Sequence, residues 1–348
     1  MKLIKRDRYL NELVSVSATP DIKVISGIRR CGKSKLLIHF KNYLNSKNVN
    51  IIHIDFNNTK FEKLNEYHKF ESFVEERISK KKKNFLLVDE VQMCVGFEKA
   101  INSLHSKECC QIYITGSNAF LLSSDLATLF TGRVFEISLF PFSFNEFKTY
   151  FKLKDNYSAF DSYLNKGGMP GSYLYNVESE RKKYLVDIYR TLIKKDIVQK
   201  FKIRNKILLD KITNFLIDNI SNLASTRNIE KILNSNKEKI NHETIGSYLN
   251  YLQNSYFFYK IKRYDIRGKK YLTSIDKYYL CDHSFKYAIL GAKDADTGRI
   301  LENIVVINLL RNDFEVYTGI LYKKEIDFVA IKNGEKICLL FVLTLRVF

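Results

Sequence analysis

The chain of 348 residues contains no tryptophan, only three prolines and no long apolar run. Its longest apolar stretch, near residues 337–345, falls well short of the roughly 18 residues that a membrane-spanning helix needs, so we expect no membrane partner. The opening residues MKLIKRDRYL lack the apolar core of a secretion signal. We therefore expect a cytoplasmic protein.

Cysteine patterns that bind zinc or form a disulfide framework are also missing. The six cysteines form no C-x-x-C pair, and the histidines do not cluster with them. This spacing argues against a zinc site and fits a reducing compartment.

Acidic residues are the scarcer charge, with 38 Asp and Glu against 57 Lys and Arg, a net charge of +19. Such an excess favours an anionic partner, and DNA is one candidate. A chain rich in Lys, Asn, Ile and Tyr can also acquire this charge from biased base composition. A protein partner therefore stays open.

The most informative pattern that is present is GIRRCGKS, residues 27–34. It follows an apolar run that predicts a strand and precedes residues that predict a helix, the context of a P-loop. Lys33 is expected to reach the β- and γ-phosphates of ATP, and the Ser34 hydroxyl to ligate Mg²⁺. The predicted nucleotide-binding residues are Gly27, Ile28, Arg29, Arg30, Cys31, Gly32, Lys33, Ser34 and Lys35.

Four apolar residues followed by two carboxylates, Phe85 to Glu90, supply the second pattern expected of a P-loop ATPase, the Walker B strand. Asp89 is predicted to hold Mg²⁺, directly or through water. Glu90 is predicted to orient and deprotonate the attacking water. Downstream of a P-loop, the pattern is far more specific than it is alone.

Two further segments carry candidate catalytic residues. The strand-like run ending in TGSN offers Thr115, Ser117 and Asn118 as a polar contact to the γ-phosphate, and Asn118 enters the predicted site; a simple turn is the alternative. Arg133 is a candidate for neutralising charge on the γ-phosphate, either of its own chain or of a neighbour's. A structural or surface arginine is the competing interpretation.

Alternating strand and helix patterns in the first 140 residues predict a parallel sheet covered on both faces. We expect strands at 22–26, 49–55, 84–89, 110–115 and 133–138. The expected division is a P-loop domain at 1–150, a helical region at 151–288 and a small α+β domain at 289–348.

These patterns resemble bacterial and archaeal AAA-type ATPases that carry a C-terminal domain of unknown function with a nuclease-like fold. The resemblance spans nearly the whole chain, in the family's order, and rests on GIRRCGKS, LLVDEVQ, YITGSNA, TGRVFEISLFPFSFNEF, NKGGMPGSY, GRILENIVV and EIDFV. It implies an α/β AAA-type P-loop sheet followed by a helical, winged-helix region. It also implies a C-terminal domain like the PD-(D/E)xK nucleases.

The residues of the middle region fit a winged helix, because two short helices (226–233 and 241–253) precede a predicted hairpin. Its basic wing, including Lys260 and Lys262, is the candidate DNA contact.

In the C-terminal region, Glu302 and Asp327 match the first two nuclease positions implied by the resemblance. The next strand, from Lys336 onward, offers neither acid nor lysine where that chemistry needs them. We therefore expect a degenerate or truncated domain that does not cleave DNA.

The expected function is Mg²⁺-dependent ATP hydrolysis that drives a conformational switch on an unidentified partner. The alternatives are an ATP-gated DNA-binding protein with little turnover, and an ATPase linked to a nuclease.

Overall fold

The computed structural model describes residues 4–116, 130, 132–234, 240–265, 270–291, 297–321 and 324–340. The chain divides into two compact units, an N-terminal unit at Met1–Leu139 and a C-terminal unit at Phe140–Phe348.

A parallel sheet with the order β2-β3-β4-β1-β5 forms the centre of the N-terminal unit. Its strands are β1 (Ile22–Ser26), β2 (Asn50–Asp55), β3 (Asn84–Asp89), β4 (Gln111–Thr115) and β5 (Val134–Ser138). Every residue of β1 and β3 is buried, as expected for central strands of a sheet that is covered on both faces. The five predicted strands are thus confirmed to within one residue.

Four helices accompany these strands in the described part of the N-terminal unit: α1 (Asp7–Ser15), α2 (Lys33–Asn45), α3 (Tyr67–Glu75) and α4 (Phe97–Ser106). Aliphatic residues of the strands pack with Phe70, Val74 and Ile101 of the helices in one hydrophobic core. Because β4 lies between β1 and β3, the ends of all three strands lie side by side at one edge of the sheet. That edge carries the polar groups of the motifs discussed below.

The first part of the C-terminal unit is helical. Its elements are α5 (Phe144–Phe151), α6 (Asn156–Lys166), α7 (Glu178–Thr191), a π-helical segment (Leu192–Gln199) and α8 (Lys206–Asp218). Ser143 and Glu146 form a capping box at the start of α5, and Asp155 caps α6 through its carboxylate. These caps satisfy the backbone N–H groups that a helix start leaves without partners.

A mixed sheet with the order β11-β10-β9-β7-β8-β6 follows. Its strands are β6 (Leu223–Ala224), β7 (Phe258–Asp265), β8 (Lys270–Leu280), β9 (Glu315–Leu321), β10 (Lys324–Lys332) and β11 (Glu335–Leu339). The accompanying helices are α9 (Thr226–Asn234), α10 (His242–Asn254), α11 (Ser284–Leu290) and α12 (Thr297–Arg311).

The order α8-β6-α9-α10-β7-β8 is that of a winged helix, in which Tyr248, Leu249 and Leu252 of α10 are buried and Tyr251 is partly buried. The predicted wing is not a free hairpin, however. Strand β7 pairs with β8 on one side and, in parallel, with β9 on the other, from Lys262 opposite Tyr317 to Asp265 opposite Ile320. The residues at the tip of the hairpin, 266–269, lie outside the described residues.

The domain boundary that the sequence placed at residue 289 falls inside this sheet, because β6–β8 precede it and β9–β11 follow it. Long-range strand pairing of this kind leaves no local signal in composition. Likewise, the N-terminal unit ends at Leu139 rather than near residue 150, since the helix that begins at Phe144 belongs to the C-terminal unit.

None of the helices in the described ranges combines the length and the apolar composition that crossing a bilayer requires.

Candidate nucleotide-binding and active site

The loop between β1 and α2 has the backbone that its glycines make possible. Gly27 has φ +132°, and a Cβ placed on it would lie 2.1 Å from the carbonyl oxygen of Leu139, so only glycine fits. Gly32 has φ +112° and caps the start of α2. No described atom lies within 4 Å of a Cβ placed on Gly32, so the space beside the start of the helix is open to a ligand.

Lys33, the first residue of α2, is only 6 % exposed. Its ammonium donates hydrogen bonds to the carbonyl oxygens of Gly27, at 2.8 Å, and Ile28, at 3.2 Å. The side chain therefore lies along the loop, and its ammonium contacts loop carbonyl oxygens rather than solvent.

The remaining predicted loop residues differ in exposure. Ile28 and Cys31 are buried, Arg29, Gly32 and Ser34 are partly buried, and Arg30 and Lys35 are exposed. Burial raises the pKa of the Cys31 thiol, which keeps it neutral, so Cys31 contributes its backbone and its small size rather than a charge.

Sequence reasoning missed a third arginine at this loop, beside Arg29 and Arg30. Arg6, at the start of α1, is 5 % exposed and donates from Nη1 to the carbonyl oxygen of Cys31 at 3.3 Å. Its guanidinium carbon lies 4.5 Å from the centre of the Tyr9 ring, a cation–π contact that fixes its position. The residues are 25 positions apart, and nothing in the local sequence around Arg6 signals the contact.

The carboxylates predicted from the Walker B pattern lie at the end of β3. Asp89 is 4 % exposed, and its Oδ1 accepts a hydrogen bond from the Thr115 hydroxyl at the end of β4. The same hydroxyl oxygen accepts from the backbone N–H of Glu90 at 3.2 Å. Thr115, one of three polar candidates in its segment, thus holds both acidic positions, while Ser117 and Asn118 lie outside the described residues.

Glu90 has a left-handed backbone with φ +54°, which is uncommon for a residue with a side chain. Its carboxylate accepts a hydrogen bond from the side-chain amide of Gln92, and the amide oxygen of Gln92 is buried without a partner among the described residues. The left-handed backbone of Glu90 and the hydrogen bond from Gln92 together set the direction of the Glu90 carboxylate. Strained backbone of this kind is often found at functional sites.

Arg133 does not join this group. It precedes β5, and its carbonyl oxygen accepts from the N–H of Ile22, the first residue of β1. The phosphate loop follows Ser26, at the other end of β1, and β1 and β5 run parallel with Ile22 opposite Val134. Arg133 is therefore at the opposite edge of the sheet, about 15 Å along the strands from the loop. This removes it from the phosphate site of its own chain; action on a neighbouring chain's nucleotide stays a prediction.

A separate group of charged side chains lies in the C-terminal unit, around Glu302 of α12. The Lys277 ammonium is 3.1 Å from Oε1 of Glu302 and 2.6 Å from Oε1 of Glu325, and the Tyr279 hydroxyl donates to Glu302 at 2.5 Å. Burial raises the pKa of Glu302, and Lys277 opposes that rise. Burial lowers the pKa of Lys277, but the two carboxylates outweigh it and leave that pKa raised.

The strand pairing fixes what stands near Asp327. Phe328 pairs with Leu339, so Leu340 follows opposite Asp327, while Lys336 pairs with Ile331, about 13 Å further along the strand. Lys336 donates instead to the Tyr264 hydroxyl at 3.3 Å. Within the described residues, no group of three or more acidic, histidine or cysteine side chains has the arrangement of a metal site.

Comparison with known proteins gives two sequence families. A family described as "AAA domain" matches residues 19–148, and a domain of unknown function (DUF8612) matches residues 157–296. An uncharacterized protein of Haemophilus influenzae is 36 % identical over 344 residues, covering 96 % of this chain and 85 % of the relative. The chain belongs to the same family as that protein. An uncharacterized protein of Methanocaldococcus jannaschii is 28 % identical, covering 97 % of this chain and 78 % of the relative.

The family's N-terminal part is therefore an AAA-type P-loop domain, the fold that the parallel sheet and its loop show directly. Solved structures with partial likeness include an Aeropyrum pernix ORC1 protein in complex with DNA, with 12 % identity, TM-score 0.33 and coverage of 82 % of this chain and 92 % of that one. Another is the replication initiator DnaA bound to AMPPCP and single-stranded DNA, with 14 % identity, TM-score 0.35 and coverage of 72 % and 90 %. TM-scores this low leave the assignment to rest on the sequence matches and on the sheet itself.

Proposed function

We propose that this protein is a Mg²⁺-dependent ATP hydrolase whose reaction cycle switches its interaction with a partner. The observation that carries the proposal is the convergence, at one edge of the parallel sheet, of the Gly27–Ser34 loop with the ends of β3 and β4. In this arrangement a cation for phosphate, an oxygen pair for metal and a carboxylate for water come from the loop after β1 and the end of β3, with Thr115 of β4 between them.

The loop and Lys33 form the phosphate-binding half of the site. Backbone N–H groups of the loop and of the first turn of α2 offer donors, and the helix start adds its partial positive charge. The open space beside Gly32 fits a phosphate chain, whereas the close approach at Gly27 fixes the loop against Leu139. The predicted binding residues, from Gly27 to Lys35, follow from this reading of the loop.

Ser34 and Asp89 are the residues that would hold Mg²⁺. Hydroxyl and carboxylate oxygens are the hard ligands this ion prefers, and the Thr115 hydroxyl occupies only one of the two Asp89 oxygens in the described hydrogen bonds. Bound there, the ion would neutralise charge on the β- and γ-phosphates.

Glu90 is the proposed general base. Gln92 and the Thr115–Glu90 hydrogen bond hold it at the end of β3, and it would accept the proton of the water that attacks the γ-phosphate, with ADP and phosphate leaving. Thr115 links Glu90 to Asp89, so the metal-binding and water-activating positions are coupled through one hydroxyl.

The test is phosphate release by the purified protein, measured with Mg²⁺ and with EDTA, and with and without duplex or single-stranded DNA. We expect Mg²⁺-dependent turnover. ATP binding without turnover, whatever DNA is added, would favour the ATP-gated binding alternative. Absence of ATP binding would remove the proposal altogether.

A further inference from the structure

A groove in the C-terminal unit lies between two walls, α7 with the π-helical segment on one side and α8 on the other, and encloses a cavity of about 670 Å³. This volume is within the range of specific binding sites, roughly 300–1,000 Å³. The described residues that line it lie between Val186 and Ile289, within the C-terminal unit.

The floor of the groove is apolar. Val186, Ile193 and Val198 come from the first wall, and Ile289 from α11. The π-helical segment carries Ile193 and Val198, and a widened helical turn of this kind is rare and is often associated with function. An aliphatic floor open to a cavity this large gains free energy when an apolar side chain covers it.

The rim of the groove is cationic. Arg190 and Lys194, four residues apart, line one wall, and Lys206 lines the other. All three are exposed, and within the described part of the chain none has a carboxylate partner. Among the described lining residues, Asp210 is the single acidic one, one turn after Lys206 on α8. The rim therefore carries an excess of two positive charges over the apolar floor.

An apolar floor between two helices with a charged rim is the geometry that accepts an amphipathic helix. The cations select a helix with acidic flanks. Nucleic acid fits the rim but not the floor, because single strands bind through aromatic side chains on which bases stack. Tyr189 is the aromatic residue of the lining, and its ring already packs 5.5 Å from that of Phe257.

We propose that this groove binds an acidic amphipathic helix of a protein partner, with the aliphatic side chains of that helix on the floor and its carboxylates at Arg190, Lys194 and Lys206. The proposal goes beyond ATP hydrolysis and does not depend on it, since none of the lining residues belongs to the nucleotide site.

The probe is a fluorescein-labelled 16-residue helical peptide with leucine at every third or fourth position and glutamate beside each leucine. Its binding to the full chain is followed by fluorescence anisotropy at several salt concentrations. We expect saturable binding that weakens with salt, as rim charges predict. The double variant Lys194→Glu/Lys206→Glu should bind about tenfold more weakly or worse, because each reversal places like charges together.

Matched controls separate the groove from the general positive charge of the chain. Lys195→Glu/Lys202→Glu reverses two exposed lysines of the same stretch that do not line the cavity, and it should change affinity less than about twofold. Val186→Ser, which removes methyl groups from the floor without changing charge, should weaken binding about fivefold. Lys33→Ala should bind the peptide like the wild type, so failure of the nucleotide site does not affect this test.

Three results would overturn the proposal. The first is no saturable binding of the peptide at 100 µM (on the order of weak peptide affinities). The second is an equal loss in the groove and control variants, which would mean nonspecific charge attraction. The third concerns an unlabelled 16-nucleotide single strand. If it binds more tightly than the peptide, competes with the peptide and loses this binding in the groove variants, nucleic acid is the occupant.

Discussion

In the N-terminal unit, Asp89 and Glu90 are held by the neutral side chains of Thr115 and Gln92, whereas in the C-terminal unit Glu302 and Glu325 are held by the Lys277 ammonium. Each group pairs two carboxylates, one more buried than the other. The groups differ in their partners, which are uncharged hydrogen-bond donors in one case and a buried cation in the other.

The difference indicates which carboxylates are free to meet an external cation. Neutral donors fix the direction of a carboxylate and leave its charge for a metal or for a proton in transit. Lys277, which is 4 % exposed and contacts both carboxylates, balances one of their two negative charges internally. We infer that acidic residues in matching positions do not by themselves make a metal site, and that the neighbouring cation decides.

The largest effect is expected from a substitution in the proposed phosphate-binding loop of the N-terminal unit. Lys33→Ala should weaken Mg–ATP binding by about 2–5 kcal/mol, because it removes one partner of a largely desolvated charge pair. Calorimetric titration measures this, with the exposed Lys47→Ala beyond α2 as the control that keeps affinity. Unchanged affinity in the Lys33 variant would mean that the loop does not bind the phosphates.

The corresponding test of the C-terminal group is Lys277→Met, which leaves two carboxylates without their cation. We expect a loss of about 3 kcal/mol in the free energy of unfolding of this unit, as for a broken buried pair. The better exposed pair Lys260–Asp276, 3.6 Å apart, is the matched control, and Lys260→Met should cost about 1 kcal/mol or less. Urea denaturation distinguishes the two. Equal losses in the two variants would show that the burial of Lys277 does not increase its contribution to the free energy of unfolding.

The loss of stability in Lys277→Met should also depend on pH. Burial already raises the folded-state pKa of Glu302, and without Lys277 that pKa rises further above its unfolded value of about 4.3. Glu302 is protonated in both states below that value, so its penalty is absent there. The penalty grows as pH rises above the unfolded value and is complete once pH exceeds the folded pKa. Lys277→Met should therefore be closer to the wild type at pH 4 than at pH 8, and a constant difference would contradict the charge argument.

A smaller effect is expected from Thr115→Val, which keeps shape but removes the hydroxyl that links Asp89 to Glu90. Losing a hydrogen bond to a charged group costs about 1.5–3 kcal/mol, so we expect at least tenfold slower hydrolysis with little change in ATP affinity. Thr213→Val, at a buried threonine of α8 in the C-terminal unit that donates to the carbonyl oxygen of Leu209, is the control. A wild-type rate in Thr115→Val would mean that the two carboxylates act independently.

The last prediction is that the protein has no measurable nuclease activity. Supercoiled plasmid should not be nicked in Mg²⁺ or Mn²⁺, because Leu340 stands opposite Asp327 and Lys336 lies far along the strand. Asp327→Ala serves as the control. Nicking by the wild type that disappears in this variant would restore the nuclease alternative and make Lys277 a candidate for the missing cation.

The sequence predicts the N-terminal unit well for physical reasons. Buried parallel strands are continuous apolar runs, so their bounds are visible, and the phosphate loop needs glycine at fixed positions. Arg6, Lys277 and Tyr279 were missed because each acts through a tertiary contact, whereas Gln92 acts through a local turn that no periodic pattern marks. The parallel pairing of β7 with β9 was also missed, since it joins segments more than 50 residues apart and leaves no periodic signal between them. For Arg133, strand direction supplies what the sequence left open, because the start of β5 lies at the opposite end of the sheet from the loop after β1.

The most direct test of the central claim is Glu90→Gln, measured for ATP binding and for ATP hydrolysis in the same preparation. The substitution keeps size and removes the base, so the account predicts wild-type affinity for Mg–ATP with turnover reduced about 100-fold or more. Turnover at the wild-type rate, with binding intact, would contradict the assignment of Glu90 as the residue that activates water.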